Sequence, residues 1–330
     1  MTPHPSPCLL GAGLSAILAV GCTLNAEISP ASGSFDRTLS VTGPVDLTVK
    51  TGSGRIEIRT GTDGTVRVVG RIHARGDLWS NLGAAEQVKE LEANPPVDQS
   101  GSAIRIGDIR DSALRQNVSI SYELTVPADT RVLARSGSGE QVIDSIRGSL
   151  DAGAGSGSIR VGEVGGHVSA ATGSGHIDID GAGGGLHASA GSGSIRARSV
   201  GGAIRARTGS GAVHVEQSGP GDVDISTGSG AITATGVQGA ARLRAGSGPI
   251  VVQGRPQLDW ALSAASGGVT VRVPADAAFD LDAHTGSGSI HASHPVEQTG
   301  TLSRHHLQGR VRNGGAHLSV STASGSISIE

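Results

Sequence analysis

GSGSIRVGEVGGHVSAAT GSGHIDIDGAGGGLHASA GSGSIRARSV, Gly155 to Val200, is the stretch that decides the fold. One 18-residue unit stands there twice, and a third copy begins. After each Gly-Ser-Gly, apolar and polar residues alternate: Ile159/Val161, Ile177/Ile179, Ile195/Ala197. Alternation with period two marks a strand with one buried face. A second glycine turn follows (Gly165-Gly166, Gly184-Gly185, Gly201-Gly202). Then a second alternating run begins, with Val168/Ala170/Thr172, Leu186/Ala188/Ala190 and Ile204/Ala206/Thr208 as its inward positions.

Working outward, the serine of the motif recurs at 53, 138, 156, 174, 192, 210, 229, 247 and 287, with degenerate copies at Ser266 and Ser324. From Ser138 to Ser266 every interval is 18 or 19 residues. A fixed short period is the signature of a solenoid, in which no single repeat can bury its face without its neighbours. The pattern therefore predicts an all-β fold: a parallel β-solenoid with two short strands per 18–19-residue rung. Successive rungs should stack roughly 4.8 Å apart. Glycine at each corner is expected to supply positive φ and close backbone approach.

The array is interrupted between Ser53 and Ser138. There Asp77 to Ala93 reads as a helix that Asn94-Pro95-Pro96 ends, with Leu82, Ala85, Val88 and Leu91 on one face. A helical or irregular insertion over about 74–117 is expected within a single domain, 27–330. A second irregular loop is expected over about Ala292–Arg312, and Ser326 to Ile329 is expected to be an open terminal edge.

Composition fits a narrow interior. The chain has 330 residues with 53 glycines, but only two Phe, two Trp and one Tyr. Net charge is −3, so no bulk field favours nucleic acid, and no nucleic-acid partner is expected. Residues 1–26 read as a signal segment: Leu9 to Val20 is too short to span a bilayer and suits an h-region. Leu18-Ala19-Val20-Gly21-Cys22 resembles a lipobox, with Ala19 where leucine is usual. Lipidation at Cys22 would make the membrane a partner through a lipid anchor. Ordinary cleavage near Leu24-Asn25-Ala26 is the alternative. With Cys8 removed, at most one cysteine remains, so no intrachain disulfide is expected.

Tyr122-Glu123-Leu124-Thr125-Val126-Pro127-Ala128-Asp129 leads into Ser136-Gly137-Ser138-Gly139. Val271-Arg272-Val273-Pro274-Ala275-Asp276 leads into Thr285-Gly286-Ser287-Gly288-Ser289-Ile290. A strand ending in Val-Pro-Ala-Asp, a second strand and then Ser/Thr-Gly-Ser-Gly resembles the bacterial putative-adhesin family of DUF4097 type, over roughly Ser34–Glu330. The resemblance implies a β-solenoid at the cell envelope with no established enzymatic activity.

The residues offer few alternatives. Asp178 and Asp180 could be a paired-carboxylate site of a polysaccharide-active β-helix. Both should face solvent beside Arg160, Arg196 and Arg198, as rungs of a charge ladder. The turns lack the aspartates of calcium β-rolls. His284, His291, His294, His305 and His306 are expected in solvated loops, so no metal and no cofactor are expected. Gly-x-Gly here belongs to the repeat and opens no helix, which removes a nucleotide loop. Trp260 falls on an inward position, and Trp79 begins the helix. The expectation is a non-enzymatic, exported cell-envelope protein whose solenoid presents a binding or scaffolding surface to an envelope or surface ligand. The alternatives are a polysaccharide-active enzyme and a self-assembling envelope structural protein. Oligomeric state is left open.

Overall fold

The computed structural model describes residues 31–74, 81–109, 117–298 and 303–330. Its two runs per repeat are strands, and like runs stack. Those after Gly-Ser-Gly belong to a 14-stranded sheet and those after the second turn to a 15-stranded sheet, each extended at its ends by strands from outside the repeat. In the middle of the chain the strands are parallel and in register: Ile159 beside Ile177, Ile177 beside Ile195, Ile195 beside Val213. The inward residues of both sheets are buried, with Ile195, Ile204 and Ala206 each at most 2% exposed. Apolar burial of this kind contributes about 1.5–3 kcal/mol per large side chain.

Glycine works differently from expectation at the corners. Gly157, Gly175 and Gly193, the third residues of successive motifs, are not among the positive-φ glycines. What requires glycine is the stack: a Cβ on Gly193 would fall onto the carbonyl oxygen of Gly175, and one on Gly175 onto that of Gly157. Positive φ occurs elsewhere, as at Gly185 in the second turn.

The inward threonine before the motif ties this corner together. Thr208 Oγ1 donates to the Gly193 carbonyl (2.9 Å) on the preceding rung and accepts from the Gly211 N–H (3.2 Å) on its own. Thr172 and Thr227 repeat the arrangement. The hydroxyls are thus satisfied inside the core, as buried polar groups must be. Thr208→Val keeps the shape and strands both partners. It should cost about 1–3 kcal/mol, read as a lower midpoint in urea denaturation.

The ends depart from sequential stacking. Val45–Thr51 and Ile56–Thr60 form a rung. The chain leaves it through Thr65–Ala74 and the helix, then returns as Ala103–Ile106 and Val118–Val126, which lie on the outer side of that rung. Thr130–Ser136 and Gln141–Ile143 come next in sequence but pair on its inner side. The linker Val126-Pro127-Ala128-Asp129 therefore steps over a whole rung. Val273-Pro274-Ala275-Asp276 does the same. Trp260–Ala264 and Val269–Arg272 precede it, and Phe279–Ser287 and Ile290–Ala292 follow two levels away. The gap is filled by Ala316–Ser324 and Ile327–Ile329 from the C-terminal part.

Proline suits such an exit because it has no N–H for the ladder and holds the preceding residue extended. The following aspartate is clamped in both places. Arg147 donates to Asp129 at 2.7 and 3.0 Å, and Arg255 to Asp276 at 2.8 and 3.0 Å.

This order corrects one expectation. Ile327–Ile329 lies between two strands and is no edge. The outermost strands are short or covered. Val97–Ser100 pairs antiparallel with Ala103–Ile106, and Val296–Gln298 with His306–Val311, inside what the sequence marked as an irregular loop. Ala31–Ser40 pairs antiparallel with Thr65–Ala74, and the helix packs over both. Glu92 accepts from the Ser34 N–H (2.8 Å), and Gln99 donates to the Ser40 carbonyl (2.8 Å). Covering and shortening edges are standard defences against sheet extension.

The helix spans Asn81–Ala93, and residues 75–80, Trp79 among them, lie outside the described residues. Its buried face is Ala84, Val88 and Leu91, whereas Ala85 is exposed. The spacings of four and three residues align these side chains better than a face through Ala85. The Leu82 side chain is not among those described. Phe35, Tyr122, Trp260 and Phe279 are all buried and all belong to the end regions. Trp260 fills the core as its inward position predicts, and its Nε1 donates to the Gly239 carbonyl (3.0 Å).

Candidate functional site

With the inward residues consumed by the core, chemistry must come from the outward columns. Asp178 sits between Arg160 and Arg196 in register, as the ladder requires. The ion pairs chosen are different. Arg160 pairs with Glu140, and Arg198 takes Asp180 at 2.7 Å and Asp178 at 4.0 Å. Arg196 has no carboxylate within ion-pair distance among the described residues. Register makes residues neighbours, but side-chain reach decides the partner. The side chains of Asp178 and Asp180 are 41% and 63% exposed. A glycosidase acid is kept protonated by an apolar pocket, and neither carboxylate occupies one.

The pKa shifts that do occur belong to the ends of the stack. A hydrogen bond from Arg67 holds the Asp36 carboxyl below its ordinary value, and one from Arg255 does the same for Asp276. Burial pushes the Tyr122 phenol up.

The histidines divide into two groups. His294 lies edge-on to Phe279, with centroids 6.1 Å apart. His284 and His306 also meet edge-on, with centroids 6.0 Å apart, and His306 Nε2 is 2.9 Å from Asp282 Oδ1. Three of the five histidines expected in loops are on strands instead: His284 on Phe279–Ser287, His291 on Ile290–Ala292 and His306 on His306–Val311. Among the described residues no three His, Cys, Asp or Glu side chains converge as a metal site would need.

The 15-stranded sheet carries the outward charge ladder that the alternation of the repeat puts there, and beside it a trough that the sequence reading missed. Its outward positions place Arg205 and Arg207, then Asp224 and Ser226, then Arg242 and Arg244 on three adjacent rungs. Asp224 is shared by Arg205 and Arg207, each at 3.8 Å. Arg242 and Arg244 have no carboxylate within ion-pair distance among the described residues. Beyond Arg244 the column continues through Ser263 and Ser321 to His284. Because the middle of this column is small, a trough of about 620 Å³ opens along it, lined also by Ala265 and Ala323. The signal was available only by reading down the columns in the interleaved order of the rungs.

The Toastrack DUF4097 family model matches residues 166–330, half of the chain. The chain belongs to this family. The match begins just before the strand Val168–Thr172, so the Toastrack region holds the later middle rungs, the second step-over linker and the trough. Two solved structures are similar to the DUF4097 chain at low identity. One is described as a putative cell adhesion protein from Clostridium sporogenes ATCC 15579, with 9% identity, 90% of this chain and 99% of that chain covered, and a TM-score of 0.18. The other is described as a putative adhesin from Bacteroides fragilis NCTC 9343, with 14% identity, 90% and 97% covered, and a TM-score of 0.27. No curated protein matches the chain. Cys22 and the whole of residues 1–30 lie outside the described residues. Among the described residues no helix is long and apolar enough to cross a membrane.

Proposed function

We propose that this DUF4097 protein is a non-enzymatic cell-envelope protein, exported through residues 1–26 and held on a membrane by lipid at Cys22. Its solenoid presents its outward faces as a binding or scaffolding surface. The observation that carries this reading is the placement of its charged groups. The arginines and carboxylates of the middle rungs stand on open sheet faces, some in ion pairs such as Arg198 with Asp180 and others, Arg196, Arg242 and Arg244, without a carboxylate partner among the described residues, and the buried interior is largely apolar with its threonines satisfied. Such pairs contribute about 0–1 kcal/mol each. They shape a surface potential without activating an acid or a nucleophile. The blunted outer strands favour this reading over end-to-end assembly.

Two experiments test it. Cys22→Ser should move the full-length protein from the membrane fraction to the soluble fraction. A mature N-terminus at Glu27 in mass spectrometry, without lipid, would contradict the tether. The purified protein should leave a panel of envelope polysaccharides intact, and Asp178→Asn with Asp180→Asn should change nothing. Reproducible depolymerisation by the wild type that this double variant abolishes would establish the enzyme alternative.

A further inference from the structure

The trough on the 15-stranded sheet has the chemistry of a specific ligand class. It runs from Ser226 past Arg244, Ser263 and Ser321 to His284, across five successive rungs. Four steps at the usual strand spacing make it roughly 19 Å long. Arg244 projects into it as a guanidinium without an internal carboxylate partner among the described residues, so its donors are free for an oxyanion. The serines add hydroxyls that both donate and accept, spaced along one line. Nearby carboxylates are already engaged: Asp224 with Arg205 and Arg207, and Asp282 with His306. Four arginines against one aspartate over three rungs make this face locally basic in a chain whose net charge is −3.

The surroundings also discriminate between polymers. Phe35, Tyr122, Trp260 and Phe279 are buried, so among the described residues this face offers no Phe, Tyr or Trp ring on which successive nucleobases could stack, and only a single imidazole, that of His284, at one end of the trough. Leu258 is the one large hydrophobic residue exposed among the described residues, so the apolar anchors of a protein interface are missing too. A line of hydroxyls with a guanidinium matches a hydroxylated, anionic chain.

We propose that the trough binds a linear acidic polysaccharide, with a carboxylate or sulfate of the sugar chain on Arg244 and sugar hydroxyls on Ser263 and Ser321. This rests on the non-enzymatic binding reading above and names its partner class. The test is isothermal titration of the full-length protein in mild detergent at about 0.15 M salt, where long-range attraction is screened. The probes are polygalacturonate oligomers, sulfated dextran oligomers, neutral dextran oligomers and oligo-dT.

Both acidic sugars should bind saturably, and neutral dextran at least tenfold more weakly. Arg244→Ala should lower affinity for the acidic sugars at least tenfold. Ser263→Leu, which fills the trough without touching the charge, should do the same. Arg196→Ala, on the other sheet, should leave it unchanged. The proposal fails if neither acidic sugar binds, if Arg244→Ala binds them as the wild type does, or if oligo-dT binds as tightly with the same dependence on Arg244. Shortening of either sugar during the titration would overturn the non-enzymatic reading instead, so the two failures are told apart.

Discussion

Gly193→Ala should unfold the middle of the stack. The added methyl would occupy the position of the Gly175 carbonyl oxygen, which is backbone and has no alternative rotamer to adopt. Gly193 is itself buried, and its carbonyl accepts from Thr208 on the next rung. Relief would require the rungs to separate, breaking parallel ladders on both sheets. Ordinary overpacking costs about 1–3 kcal/mol because side chains can shift. Here none can, and a loss above about 4 kcal/mol is expected. Two controls separate this from glycine chemistry in general. Ser192→Ala, at the exposed tip of the same corner, should be nearly neutral. Gly83→Ala, in the helix with nothing near its Cβ position, should stabilise by roughly 0.5–1 kcal/mol. Thermal melts of the three variants read the difference directly.

Ile195→Asp should be comparably severe, and its neighbour should not matter. Ile195 is 1% exposed and sits in register between Ile177 and Val213. A carboxylate there would stand in a narrow apolar interior without a donor, a burial that costs several kcal/mol even after it takes up a proton. Since each rung touches only its neighbours, damage should spread to both sides. Arg196 points outward and has no ion-pair partner among the described residues, so Arg196→Ala should fall within about 0.5 kcal/mol of wild type. If Arg196→Ala unfolds the protein while Ile195→Asp is tolerated, the two faces are assigned backwards.

The middle of the molecule was legible because period and alternation are local. Ile159, Ile177, Ile195 and Val213 share a strand position, and the 18-residue interval alone puts them in line. The interleaved ends were not legible on the same grounds. Trp260–Ala264 pairs with Ala316–Ser324 across more than fifty residues, and no short-range pattern encodes such a step. The recurring Val-Pro-Ala-Asp was visible, and it served to mark a family. Its topological meaning, a skipped rung, needs the pairing on both sides of it. The Glu140 partner of Arg160 and the shared use of Asp224 likewise depend on side-chain reach across rungs. The trough followed the same rule: Ser263, Ser321 and His284 become neighbours only once the C-terminal rung is slotted in. The helix was legible as an element, but its buried face was misjudged by one residue, at Ala84. Propensity marks a helix, and packing over Ala31–Ser40 selects the face.

Disulfide trapping tests the order of the rungs, on which the blunted ends and the trough both depend. In a chain carrying Cys8→Ser and Cys22→Ser, Ser263→Cys is combined with either Ser321→Cys or His284→Cys. In the interleaved order Ser263 and Ser321 are direct neighbours, about 4.8 Å apart, while His284 is two rungs away at roughly 9.6 Å. A disulfide needs Cα atoms within about 7 Å. Mild oxidation should therefore close the 263–321 pair rapidly and leave the 263–284 pair reduced. A rapid 263–284 bond with no 263–321 bond would mean that the rungs stack in simple sequence order, and that the closed C-terminal end and the trough described above do not exist.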